Sequence, residues 1–189
     1  RAVYLLLDKG ISVRRASEAS ANGQVKVGDF LVGAGDVTDA ATRSGVDFVA
    51  LSAPVTAGAY PIAKPRVGLL KQYGGGNSDE GWTRLMFEQF DVPVTSLMDA
   101  EVQAGGLAAK YDTIILPSSS VGGMIGGGGG GGGRGGSAGP AEYQSGFGAA
   151  GVQALDAFVK SGGTLLTFGS SGDLPITQFG LPLRDVADG

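Results

Sequence analysis

The 189-residue chain has 36 glycines, no cysteine, no histidine and a formal net charge of −4. Without Cys or His, the chain by itself forms no disulfide, no zinc site of the usual N/S kind, and no Cys-His or Ser-His-Asp catalytic unit. Its 14 Lys and Arg residues are scattered, with one adjacent pair at Arg14 and Arg15, so no basic face predicts nucleic-acid binding. No apolar run approaches the roughly 20 residues of a membrane span. The first residue is Arg1 rather than Met, which predicts a processed or excised fragment.

In chain order, Ala2–Lys9 reads as a helix ended by Gly10, with Val3, Leu6 and Leu7 on one face. Ile11–Ala16 reads as a strand with Ile11 and Val13 inward. Gln24–Val32, broken at Gly28-Asp29, predicts a hairpin or two short extended pieces. Asp36 is placed to cap a helix running to Arg43, and Val46–Leu51 is again strand-like. Ala53–Pro65, with Pro54, Gly58, Pro61 and Pro65, reads as a connector.

The second part carries stronger signals. Arg66–Leu70 is an apolar strand, and the triple glycine 74–76 leads into Asn77-Ser78-Asp79-Glu80. Asn77 as N-cap with Glu80 at the third helical position resembles a capping box that opens a helix through Phe90. Trp82, Leu85, Met86 and Phe90 supply the apolar stripe expected to face the core. Pro93–Leu97 is the next strand, Asp99–Ala109 a weaker helix interrupted at Gly105-Gly106, and Asp112–Leu116 a buried strand. Gly148–Lys160 is a helix with Val152, Leu155, Phe158 and Val159 inward. Gly163–Phe168 is a final strand that turns off at Gly169–Gly172. Strands alternating with helices predict an α/β fold with a mainly parallel sheet and helices on both faces. A small α/β piece over residues 1–58 precedes the main domain over 59–189.

Thirteen of the glycines lie between Pro117 and Gly139, eight of them consecutive from Gly126 to Gly133. The segment 117–140 reads either as a flexible surface excursion or as backbone ordered between closely packed copies.

Candidate binding residues gather at the predicted C-terminal sheet edge, where α/β folds take their ligands. The triple glycine lacks a G-x-G-x-x-G or Walker pattern, and Asp79 and Glu80 put negative charge where an anion would sit. Capping, or reception of a cationic group, is the reading those carboxylates support. Ser118, Ser119, Ser170 and Ser171 follow buried strands, and Gly169-Ser170-Ser171-Gly172 is faintly like a nucleophile elbow, but the chain has no histidine to act as base. Turn serines that satisfy backbone groups are the competing reading. Trp82, the sole tryptophan, is a core residue by default and a stacking platform for a sugar or peptide otherwise; Tyr73 adds aromatic surface beside Asn77.

Several segments together resemble one known region. They are Lys64-Pro65-Arg66-Val67-Gly68-Leu69, Asp79-Glu80-Gly81-Trp82-Thr83-Arg84 continuing to Phe87-Glu88-Gln89-Phe90, Tyr111 to Pro117, Gly162-Gly163-Thr164-Leu165, and Gln178 to Pro182. They are similar to the region C-terminal to the peptidase domain of bacterial zinc carboxypeptidase-like proteins of the M14 type. That region is itself similar to class I glutamine amidotransferase domains, with a flavodoxin-like three-layer sandwich. The resemblance covers roughly residues 60–186. It implies a catalytically silent accessory domain, extracytoplasmic (secreted or periplasmic), whose partner is the peptidase domain of the same parent protein or further copies of itself. The peptidase's H-x-x-E ligands are not in this chain, so zinc is expected only in that missing domain and no cofactor here. The amidotransferase Cys would fall near Gly169–Gly172, where Ser170 and Ser171 stand, so glutaminase activity does not carry over. Structural self-association into an oligomer or filament, and small-ligand binding at the Asp79/Glu80–Ser118–Ser170 edge, are the alternative functions.

Overall fold

The computed structural model describes residues 1–55, 58–72, 77–126 and 146–186. Most of the glycine-rich segment therefore lies outside the described residues. The chain divides into two compact units, Arg1–Lys64 with Phe90–Val92, and Pro65–Gln89 with Pro93–Gly189.

The first unit is built on a three-stranded antiparallel sheet in the order β2-β1-β3, with β1 at Val13–Ala16, β2 at Phe30–Val32 and β3 at Ala59–Pro61. Helices α1 (Ala2–Asp8) and α2 (Thr38–Ser44) complete it. Leu5, Leu6, Ile11, Val13 and Ala40 form its buried cluster, with Val3 and Leu7 packed against them. Asp36 does not cap α2 directly. Its Oδ1 accepts the Thr38 N–H at 2.9 Å, so the chain turns at Asp36 and the helix starts two residues later. Two expectations fail here. Val46–Leu51 forms no strand, and Val49 lies open to solvent. The third strand instead falls inside the proline-bearing connector, where β3 pairs with β1 and Pro61 stands at a sheet edge. Of the Gln24–Val32 hairpin, only Phe30–Val32 is a strand.

The second unit is an α/β fold around a four-stranded, all-parallel sheet in the order β5-β4-β6-β7. Its strands are β4 (Val67–Lys71), β5 (Thr95–Met98), β6 (Thr113–Leu116) and β7 (Thr164–Thr167). The helices are α3 (Ser78–Gln89), α4 (Asp99–Ala104), α5 (Val121–Ile125), α6 (Gly148–Lys160) and α7 (Asp173–Gln178). The central strands β4 and β6 are near-continuous apolar runs because both of their faces are covered. On one face Leu70, Leu97, Ile114 and Leu116 pack with Val102, Met124, Phe147, Leu155, Phe158 and Leu174 in one buried cluster. On the other face Val67, Leu69 and Ile115 pack against Phe87 of α3 and Val94.

Within α6, Leu155 and Phe158 are buried as expected, whereas Val159 is exposed. Gly151, in the first turn of α6, leaves room for the side chain of Phe147, the N-cap of the same helix: a Cβ at Gly151 would sit 2.5 Å from Cβ of Phe147. That room lets Phe147 enter the core with no exposed surface.

At the opposite edge from the candidate site, Arg66 ties β4 to β6. Its guanidinium reaches both Asp112 carboxylate oxygens (2.6 and 3.1 Å) and the Ala108 carbonyl (3.2 Å), and its N–H also donates to Asp112 (2.8 Å). The Arg66 side chain, then its backbone N–H, hold the Asp112 carboxyl down at about 2. A carboxyl lowered by folding stabilises the fold above its ordinary value of 3.8, and that stabilisation is lost as pH falls through about 2. Because the pair is half-exposed, solvent screening keeps its contribution small. Urea midpoints measured across this acid window should fall less steeply for Asp112→Asn than for the native chain.

Candidate functional site

The sheet order β5-β4-β6-β7 places a topological switch at β4, whose C-terminal edge, where such folds take their ligands, lies beside Gln72 and Ser118–Ser120. Polar side chains from four segments meet there. Asn77 caps α3, its Oδ1 accepting the Asp79 N–H at 2.9 Å and the Glu80 N–H at 3.4 Å. Its Nδ2 donates to the Ser118 carbonyl at 2.9 Å, which joins the start of α3 to the end of β6. Gln72, just past β4, donates from Nε2 to the Gly123 carbonyl (3.0 Å) and accepts from Ser119 Oγ (3.3 Å). Ser120 caps α5, accepting the Gly123 N–H at 3.1 Å.

Ser171 is fully buried, donates from Oγ to the Pro117 carbonyl and accepts the Ser119 N–H at 3.0 Å. Its hydroxyl is therefore a tie between the ends of β6 and β7 and not a nucleophile presented at an elbow. The turn-serine reading holds for this residue. Ser170 beside it is exposed. Ser171→Ala leaves the Ser119 N–H and the Pro117 carbonyl without this partner in a buried place. The expected cost is about 1–3 kcal/mol, read from urea unfolding.

The structure thus brings Asn77, Ser118, Ser119 and Ser171 together with Gln72, a residue the sequence did not single out. Asp79 is exposed on the first turn of α3. Tyr73 and the triple glycine lie outside the described residues. Glu80 departs from the capping box: its carboxylate turns to Arg84 one helical turn on, with Arg84 Nε at 2.8 Å, instead of reaching back to Asn77. The Arg84 Nη2 also donates to Ser96 Oγ at 3.0 Å, so this largely buried ion pair fastens α3 to β5. The hydrogen bonds at the edge run among neutral amides, hydroxyls and the backbone. Among the described residues, these bonds supply positioning.

That inward ion pair corrects the orientation expected for α3. Its buried positions are Glu80 and Thr83, with Phe87 partly buried, the i, i+3, i+7 face of the helix. The apolar stripe points the other way, with Trp82 69% exposed, Leu85 43% and Met86 51%; Phe90 is exposed as well. Leu166 of β7, paired with Ile115 and so on the α3 side of the sheet, is 41% exposed. Single exposed apolar residues are ordinary on a protein surface, whereas here a tryptophan and two large apolar neighbours stand together on successive turns of one helix.

No protein family, curated protein or solved structure matches this chain. Among the described residues, no group of three or more acidic, His or Cys side chains is placed to hold a metal ion. Nor is any helix there long and apolar enough to cross a membrane.

Proposed function

We propose that this chain is a catalytically silent accessory domain that docks through the outward face of α3 onto a zinc carboxypeptidase-like peptidase domain of the same parent protein. The observation that carries the docking role is the reversed helix: the polar pair Glu80–Arg84 faces the sheet while Trp82, Leu85 and Met86 face solvent. An exposed tryptophan flanked by Leu and Met is the residue chemistry of a protein-binding hot spot. Numbered from β4, the strand order of the parallel sheet is 2-1-3-4, which supports a flavodoxin-like, amidotransferase-like build. The elbow position is consistent with silence, since Ser171 spends its hydroxyl on two backbone groups. The choice of peptidase as partner rests on the resemblance of the segments from Lys64 to Pro182. A secreted or periplasmic location belongs to the same reading.

The test begins with the gene: sequence upstream of Arg1 should encode a domain bearing H-x-x-E. That domain, made separately, should bind this chain, and Trp82→Glu with Met86→Glu should abolish the complex. Absence of such a domain, or equal binding by the variant, overturns the proposal. Light scattering of the chain alone separates this reading from self-association, which predicts a concentration-dependent oligomer.

A further inference from the structure

Asp99 opens α4 directly after β5 and is 3% exposed. Its Oδ2 accepts the Gly146 N–H at 3.0 Å, while Oδ1 is buried with no hydrogen-bond partner among the described residues. One helical turn on, Gln103 donates from Nε2 to the Gly146 carbonyl at 2.8 Å. Both polar groups of Gly146 are thereby gripped from one helix. The next residue, Phe147, is fully buried, donates its N–H to the Met124 carbonyl at 2.9 Å and leads into α6. We propose that Asp99 and Gln103 form a protonation-controlled latch on Gly146 that sets how firmly Phe147 and the start of α6 are held.

The physical reason is the mismatch between the carboxyl and its surroundings. A neutral carboxyl suits a buried place with a single N–H donor, whereas a carboxylate there keeps one oxygen desolvated and uncompensated. Nearby charged groups are engaged elsewhere. Glu101 on α4 pairs with Lys110 at 2.7 Å and accepts from Tyr111 at 3.2 Å, and Asp156 and Lys160 on α6 pair with each other at 2.6 Å. Strand β5, helix α5 and the turn Leu107–Ala109 contain no titratable side chain. Burial accordingly raises the Asp99 carboxyl above its ordinary 3.8, with the Gly146 N–H opposing. An acid raised by folding stabilises most below its ordinary value, and that stabilisation drains away as pH rises through the folded-state value. Ionisation strengthens the bond to the Gly146 N–H but leaves the carboxylate desolvated, and because the burial cost is the larger, opening that returns Asp99 to water grows easier as the carboxyl ionises.

Hydrogen exchange of the Gly146 and Phe147 amides, corrected for intrinsic rates, reads the latch directly. From about pH 4 to about pH 8 the native chain should lose protection at both amides severalfold. Asp99→Asn, which mimics the neutral carboxyl and keeps an acceptor for the Gly146 N–H, should show protection independent of pH. Gln103→Ala should lower protection at every pH and leave the pH dependence in place. Flat protection in the native chain, or the same pH dependence in Asp99→Asn, overturns the inference. Should Asp99→Asn fail to fold, the carboxyl-carbon NMR shift of Asp99 in the native chain decides: a midpoint matching the loss of protection supports the latch, and titration at the ordinary value overturns it.

Discussion

Phe147→Ala is expected to lower the unfolding free energy by about 3–5 kcal/mol, a large share of the 5–15 kcal/mol typical of a domain. Phe147 is among the largest fully buried side chains and belongs to the cluster of Met124, Leu116, Leu155 and Phe158. Truncation opens a cavity where strand β6 and helices α5 and α6 converge, and close-packed walls relax only partly into it. The same geometry predicts a coupling. In the native chain Gly151→Ala adds a methyl 2.5 Å from Cβ of Phe147, which forces a shift costing about 1–3 kcal/mol. In the Phe147→Ala background the ring contacts at Cδ2 (2.6 Å) and Cγ (2.8 Å) are gone while the contact at Cβ remains, so the second substitution should cost less without becoming free, and the two effects should be non-additive. Urea unfolding of the four chains measures this cycle. Strict additivity would mean that Gly151 is not there to admit Phe147.

The second large effect is on binding and leaves folding alone. Trp82 touches solvent over most of its surface, so Trp82→Ala should change stability by no more than about 0.5 kcal/mol. At the partner it should cost about 2 kcal/mol or more, roughly a thirtyfold loss of affinity. Met86→Glu should act in the same direction, because a charge brought into an apolar contact must be desolvated. The contrast comes from inside the helix. Arg84→Met removes the partner of the largely buried Glu80 and releases Ser96, so it should destabilise the fold by about 1–3 kcal/mol before any partner is added.

Sequence patterning read the second unit well where burial is two-sided. Val67–Leu70 and Ile114–Leu116 are free of polar side chains at successive positions, a pattern that a parallel strand with both faces covered requires, and they lie in the central pair of the sheet. Leu155 and Phe158 likewise point inward from α6. Helix α3 shows where patterning misleads. A stripe of Trp82, Leu85 and Met86 carries the periodicity of a core face, but periodicity does not say which surface the stripe meets, and the Glu80–Arg84–Ser96 tie decided the rotation. The short strands of the first unit escaped for a related reason. Ala59–Pro61 spans three residues with a proline, too few to show alternation, and its place is set by pairing with Arg14–Ala16.

The candidate edge was legible as a location and not as a chemistry. Strand order and serine positions marked it, and Asn77 caps α3 as the sequence implied. That Ser171 would be consumed by the Pro117 carbonyl and Ser119 N–H depends on how closely the β6 and β7 ends approach, a tertiary fact. Gln72, Asp99 and Gln103 carry no local signature, since their roles rest on contacts to Gly123 and Gly146 far along the chain.

The sole tryptophan makes the central claim directly measurable. Acrylamide quenching of Trp82 fluorescence in the dilute chain should be that of an open indole, and saturating addition of the H-x-x-E-bearing domain, freed of its own tryptophans, should shield it. An indole already shielded in the dilute monomer, or one equally open after that domain is added, would contradict the account.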